Sequence, residues 1–324
     1  MRTVQTETRF PLSSVKPLEA LTRYRAHCLS ETQKALGAGS SRRSASPITG
    51  APLQPFGKVG SFEYLICPDT GSLFMAELPP SETWAKLLRQ IHQHRHSPGV
   101  FHSELAVSRA DRVYQPKVEW IQETLALQGI HRPALLEAGM PPSDLERLLT
   151  RSGTFSRVEC VDEMALAHEG LSRQSSFEGD FQVAVLLESL DRSDDPVRLL
   201  EKTQRCLSRG GLLFATALVA SGFDLQVLGV ENRYLYPPDR TNCLTIQGLQ
   251  RLLERFKFDL LEVSTPGVLD VEIVQAHLAQ EPSLPLSRFE RSLILSDEPT
   301  RQAFQSFLQG KGLSSYARVV ARKP

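Results

Sequence analysis

Residues 118–324 of this sequence predict a doubly wound α/β domain, a mostly parallel sheet with helices on both faces. Three observations carry that expectation. Past residue 117, short β-prone apolar runs alternate with amphipathic helical patterns at the spacing of βα units. Residues 212–219 form an unbroken apolar run, which suits a central strand covered on both sides. Acids close the runs, with Glu137, Asp162 and Glu188 each standing at or just after the carboxyl end of one.

The elements follow in order. Val118, Ile121 and Leu125 make a helical stripe that stops at Gly129. Residues 133–137 read as the first strand, and Ser143-Asp144-Leu145-Glu146 has the form of a capping box opening the next helix. A second strand at 157–161 ends in Asp162, and a third at 181–187 ends in Glu188. Asp195-Pro196 places a capping acid before a proline at the first helical position. Val197, Leu200 and Leu207 supply that helix's buried stripe, and Gly210-Gly211 is expected to stop it. Beyond the 212–219 strand, Thr245 starts a helix with Leu249, Leu252 and Leu253 inside. Strands at 258–263 and 316–321 complete the pattern, the last alternating as an antiparallel neighbour would. A helical insertion spans residues 271–314.

The first 117 residues divide in two. Residues 1–45 hold a helix over 13–36, with Val15, Leu18, Leu21, Cys28 and Leu29 at helical spacing, then a Gly/Ser-rich flexible linker from Gly37. Residues 46–117 hold a hairpin, 62–67 and 72–75, about the turn Pro68-Asp69-Thr70-Gly71. A helix over 84–94 follows, with Leu87, Leu88 and Ile91 on one face, and breaks at Ser97-Pro98-Gly99.

Lys+Arg and Asp+Glu each number 37, so the formal charge is zero and neither nucleic acid nor an anionic membrane is favoured as a partner. The longest apolar runs fall far short of the ~18 residues that cross a bilayer. The polar N-terminus lacks the apolar core of a secretory signal. Cysteines at 28, 67, 160, 206 and 243 are scattered and odd in number, which suits reduced thiols. The expectation is a soluble cytoplasmic protein.

In open α/β sheets the ligand lies beyond the carboxyl ends of the strands. There a glycine turn brings backbone close to it, and an acid ~20 residues later holds ribose hydroxyls. Glu137-Ala138-Gly139 follows the first strand and Asp162 closes the second. This order and spacing resemble class I S-adenosylmethionine-dependent methyltransferases over nearly all of residues 46–324. Leu135-Leu136-Glu137-Ala138-Gly139 looks like that family's first cofactor motif, and residues 158–162 like its ribose-binding strand. Residues 181–196 with 207–211 look like its fourth strand, helix and glycine turn. Residues 221–229, Pro237-Pro238, 265–270 and 313–324 resemble a bacterial subgroup with an N-terminal zinc-ribbon-like hairpin, whose members often act on small metabolites or sugars. The resemblance implies a seven-stranded Rossmann-like sheet. It also implies S-adenosylmethionine held across Glu137, Gly139, Asp162 and Glu188, and a small-molecule or sugar-type acceptor.

The departures from that pattern are specific. Later glycines of the cofactor loop are replaced by Pro141 and Ser143; Pro141 and Pro142 lack N–H groups and fix φ, so cofactor affinity should fall. Arg192 and Arg240 stand where the subgroup has histidines, and arginine stays protonated, so it cannot serve as a general base. Two zinc knuckles are reduced to Ser46-Pro47-Ile48-Thr49 and Cys67-Pro68-Asp69-Thr70, one sulfur of four, and no metal is expected there. His92 and His96 lie one turn apart, which reads more simply as a solvated helix end than as a metal pair. Tyr234, Tyr236, Pro237 and Pro238 read as loop packing or as a substrate mouth. Each sharp reading has a plain one beside it: Asp162 as the N-cap of residues 163–168, Glu188 as a solvated strand end, Gly139 as a turn glycine. A non-catalytic binding or scaffold protein on the same fold is therefore the competing expectation.

Overall fold

A computed structural model of the chain describes residues 10–15, 17–37, 39–168 and 179–324. Helix α1 (Leu18–Ala35) sets Leu21, Tyr24 and Cys28 into the same apolar cluster as Trp84, Leu87, Leu88 and Ile91 of helix α2 (Ser81–Arg95). That cluster continues through Leu218, Leu225, Val274 and Leu308, so the region before residue 117 packs directly on the α/β part. The segment read as a linker carries the strand Ser41–Arg42, paired antiparallel with Glu77–Leu78. Arg43 beside it donates to Asn242 and to the Asp194 carbonyl.

The hairpin around Pro68 consists of β2 (Phe62–Ile66) and β3 (Leu73–Met75), with Leu65 opposite Phe74. Two strands missed in the sequence extend it into a four-stranded antiparallel sheet. These are β1 (Gln54–Val59) on β2, and Asn242–Cys243, from the far half of the chain, on β3.

The α/β part is entered through helix α3 (Gln115–Leu127). It continues through β4 (Ala134–Gly139), α4 (Asp144–Arg151), β5 (Arg157–Asp162), α5 (Glu163–Ala167), β6 (Phe181–Leu187), α6 (Pro196–Cys206) and β7 (Leu207–Leu218). Helix α7 (Ile246–Arg255), β8 (Asp259–Ser264), helices α8 (Asp270–Gln280), α9 (Arg288–Ile294) and α10 (Glu298–Gly310), and β9 (Tyr316–Arg322) complete it. The sheet order is β8-β9-β7-β6-β4-β5. β5, β4, β6 and β7 run parallel, and β9 is antiparallel to both of its neighbours. This is a Rossmann-like doubly wound fold with six strands among the described residues, where seven were expected.

Alternation along β7 sorts the core into two layers, as the period of two requires. Leu212 and Phe214 face α3 and α4 with Ile121, Leu125, Leu145 and Leu149. Leu213, Ala215 and Ala217 face α6 and α7 with Leu199, Leu200, Leu249 and Leu252. Gly210-Gly211 does not end a helix. Helix α6 already stops at Cys206, and the glycines lie inside β7, where the ladder with β6 loses register. Gly210 has φ +75°, and a Cβ on Gly211 would stand 2.9 Å from the Ser208 carbonyl and 3.2 Å from that of Gln182. Side chains are excluded there by the bulge, a use of paired glycines that looks identical in sequence to a helix stop. No helix among the described residues is long and apolar enough to cross a membrane.

Candidate functional site

From β4 the chain moves outward to β5 and then returns on the other side of β4 as β6. The carboxyl ends of β4 and β6 therefore flank the topological switch point, where sheets of this kind bind ligands. Ser189 Oγ spans that crevice, donating to the Ala138 carbonyl at 2.7 Å. Glu137, Gly139 and Glu188 line one cavity of about 110 Å³ here, beneath His92 and Arg95 of α2. Asp162 sits directly opposite Gly139 in the β4–β5 ladder but is not part of that lining.

Glu137 is buried, and its Oε1 accepts from Ser143 Oγ at 2.6 Å while Oε2 has no hydrogen-bond partner. Burial pushes its carboxyl up to about 7, against the lowering effect of the serine bond. Gly139 is not in the left-handed region. A Cβ there would meet Glu137 Oε1 at 3.3 Å, so the residue provides room beside a buried carboxylate rather than a turn. Ser143 caps α4, accepting from the N–H of Leu145 and Glu146. The reciprocal half of the expected capping box is absent among the described hydrogen bonds, and the serine hydroxyl donates to Glu137 instead.

Asp162 has both oxygens engaged. Oδ1 caps α5 by accepting from Met164 N at 2.9 Å and Ala165 N at 3.2 Å, and Oδ2 accepts from Arg89 Nε at 2.6 Å. Glu188 adopts φ +57°, a left-handed conformation unusual for a residue with a side chain. Its Oε2 accepts from Arg240 at 2.6 Å. Arg240 and Arg192 thus serve as cationic partners: Arg240 to Glu188, and Arg192 to the fully buried Glu163 through two bonds of 2.8 and 2.9 Å. Asp191, also fully buried, accepts from Leu218 N and lies 3.6 Å from Arg240 Nε. Burial pushes it up to about 8 although Arg240 opposes the shift.

A second cavity of about 520 Å³ adjoins the first, sharing Arg95, Arg109, Lys117, Glu188 and Asp239 with it. Trp120, Leu218, Tyr234 and Tyr236 give it apolar walls. The two tyrosines therefore line a cavity as well as packing. Sequence reasoning missed Arg89, Arg95, Lys117 and Arg318. A local signal existed for the first two, because Arg89, His92, Arg95 and His96 fall at helical spacing on the face of α2 turned to the crevice.

Ser46, Thr49, Cys67 and Thr70 also meet. Thr49 Oγ1 lies 3.4 Å from Cys67 Sγ, and Ser46 Oγ accepts from the N–H of Ile48 and Thr49. Burial pushes the Cys67 thiol up, but hydrogen bonds with the hydroxyls of Thr49, Thr70 and Ser46 outweigh it and the net shift is downward. His92 and His96 pack edge to face with ring centres 4.6 Å apart, and burial drives His92 down to about 4. No group of three or more His, Cys, Asp or Glu is placed to hold a metal among the described residues.

No protein-family profile and no curated protein matches the chain. Solved structures of similar fold include 1,6-didemethyltoxoflavin-N1-methyltransferase of Burkholderia thailandensis, 14% identical, covering 83% of this chain and 99% of that one, TM-score 0.43. Geranyl diphosphate C-methyltransferase of Streptomyces coelicolor A3(2) is 11% identical, covering 74% and 98%, TM-score 0.45. An S-adenosylmethionine-dependent methyltransferase of Mesorhizobium loti is 14% identical, covering 64% and 100%, TM-score 0.35.

Proposed function

We propose that this chain is an S-adenosylmethionine-dependent methyltransferase for a small-molecule acceptor. The supporting observation is the junction of two cavities at the strand ends. One is bordered by Gly139 and Glu188 beside Asp162, and the other is of acceptor size, with Glu188 and Asp239 on the shared wall. The donor set fits the cofactor in kind: a side-chain-free position at the switch point and two carboxylates able to accept from ribose or base donors. Room is the constraint, since about 110 Å³ is below the ~300 Å³ at which small-molecule pockets begin. Helix α2 is fixed by buried Trp84, Leu87, Leu88 and Ile91, so room comes from rotation of the Arg89 and His92 side chains and not from displacement of the helix.

When bound, the cofactor supplies a sulfonium methyl that is taken by an acceptor lone pair as the carbon–sulfur bond breaks and its electrons return to sulfur. The chain's own part is to hold the two reactants in line and to exclude water. The Arg89–Asp162 and Arg240–Glu188 pairs are the observations behind a second reading, a non-catalytic small-molecule binding protein whose cofactor carboxylates stay paired with these arginines. Calorimetric titration with S-adenosylmethionine and S-adenosylhomocysteine separates the two. Saturable binding that Asp162→Asn removes supports the enzyme; no heat with either the wild type or Arg89→Ala sinks it.

A further inference from the structure

We propose that the 520 Å³ cavity takes a small molecule with an apolar body and an anionic head, and that Lys117 and Arg318 hold that head. Both side chains line the cavity, with residue exposures of 4% and 8%. Lys117 Nζ lies 5.4 Å from the ring centres of Tyr114 and of Tyr316, and the Arg318 guanidinium lies 5.1 Å over Trp120. Neither cation forms an ion pair among the described residues, and Arg318 Nε is buried without a hydrogen-bond partner. The Tyr316 hydroxyl is buried and unpartnered as well.

Other buried charges of this cavity are ion-paired or hydrogen-bonded, which sets these two apart. Arg95 has Asp239, Arg240 has Glu188, and Asp270 accepts from Ser314 Oγ, Ser315 N and Gln305 Nε2. Asp111, Glu119 and Glu123 on the rim are exposed to solvent. Trp120 donates to Glu262, whose other oxygen accepts from Ser264, so that carboxylate is already engaged. An unpaired buried cation is costly, and arginine cannot shed its proton to relieve the cost. Two such cations beside an unsatisfied phenol, in a cavity that also has Leu218, Tyr234 and Ile273 on its walls, are complementary to an amphipathic anion. That this ligand is the methyl acceptor rests on the function proposed above; that the cavity binds an anion does not.

Fluorescence titration of the full chain with anilinonaphthalene sulfonate and with the uncharged phenylnaphthylamine tests this without any cofactor. Wild type is expected to bind the sulfonate dye saturably, and Lys117→Met and Arg318→Met each to weaken it about tenfold while leaving the uncharged dye unchanged. Each variant removes an uncompensated buried charge, so its ligand-free Tm is expected to rise rather than fall. Lys117→Arg, which keeps the charge, is expected to retain sulfonate binding. Equal sulfonate affinity in wild type and both methionine variants, no saturable binding by wild type, or parallel loss of both dyes would overturn the anion site.

Discussion

Arg89 Nε donates to Asp162 Oδ2 at 2.6 Å while Asp162 Oδ1 caps the helix that follows β5. The carboxylate best placed beside Gly139 is therefore held on both oxygens, by two interactions of unequal strength. The Arg89 side chain is 43% exposed, so the ion pair contributes at most about 1 kcal/mol. Arg89→Ala is expected to release Oδ2 and tighten S-adenosylhomocysteine binding about fivefold, measured by calorimetry. An affinity equal to or below that of the wild type contradicts the idea that Arg89 competes with the ligand.

The cap and the charge of Asp162 can be separated. Asparagine caps helices about as well as aspartate, so Asp162→Asn is expected to leave the Tm nearly unchanged, whereas Asp162→Ala lowers stability by about 1 kcal/mol. Ligand binding depends on the charge as well, and both variants are expected to lose at least about tenfold. If asparagine binds as well as aspartate, the residue is only a cap.

Glu137 makes stability pH-dependent in a direction opposite to that of a salt-bridged acid. Burial raises its carboxyl from 4.5 to about 7, so between those values the folded state binds more protons than the unfolded state. Stability falls as pH rises through that window, and Asp191, raised from 3.8 to about 8, acts in the same direction. Glu137→Gln keeps an acceptor for Ser143 and removes its share of the slope. In urea unfolding it is expected to gain on wild type between about pH 5 and about pH 8, by up to about 3 kcal/mol. A variant whose difference from wild type does not change with pH contradicts the buried, uncompensated carboxylate.

Strands β4, β5 and β6 were legible because each is an apolar run with an acid at or near its carboxyl end; Asp162 closes β5 and Glu188 follows β6, whereas β4 runs two residues past Glu137 to Gly139. β1 was not, because Pro55 and Gly57 break any alternation, and only pairing with β2 makes Gln54–Val59 a strand. The pairing of Asn242–Cys243 with β3 has no sequence signature at all, since two residues carry no period. In the site, topology put Glu137, Gly139 and Glu188 on one cavity, while Asp162, expected with them, lies beside it and outside its lining. Their cationic partners were hidden by separation, Arg89 standing 73 residues from Asp162 and Arg240 standing 52 from Glu188, beyond any local pattern.

The convergence of Ser46, Thr49, Cys67 and Thr70 leads to a constructive test. Zinc–sulfur bonds of ~2.3 Å in a tetrahedron put neighbouring sulfurs ~3.7 Å apart, and Thr49 Oγ1 already stands 3.4 Å from Cys67 Sγ. The turns at Ile48–Thr49 and Gly71 are held by backbone and hydroxyl bonds that do not involve a metal. Replacing Ser46, Thr49 and Thr70 together by cysteine therefore needs little backbone movement to form a four-thiolate site. The triple variant is expected to bind one cobalt ion with the visible absorption of tetrahedral thiolate coordination, to exchange it for zinc, and to gain Tm on loading. The wild type, with Cys67 its single thiol there, is expected to show neither effect. Cobalt uptake by the variant without tetrahedral absorption means that the four positions do not share one centre. In that case the hydroxyl cluster is only two adjacent turns.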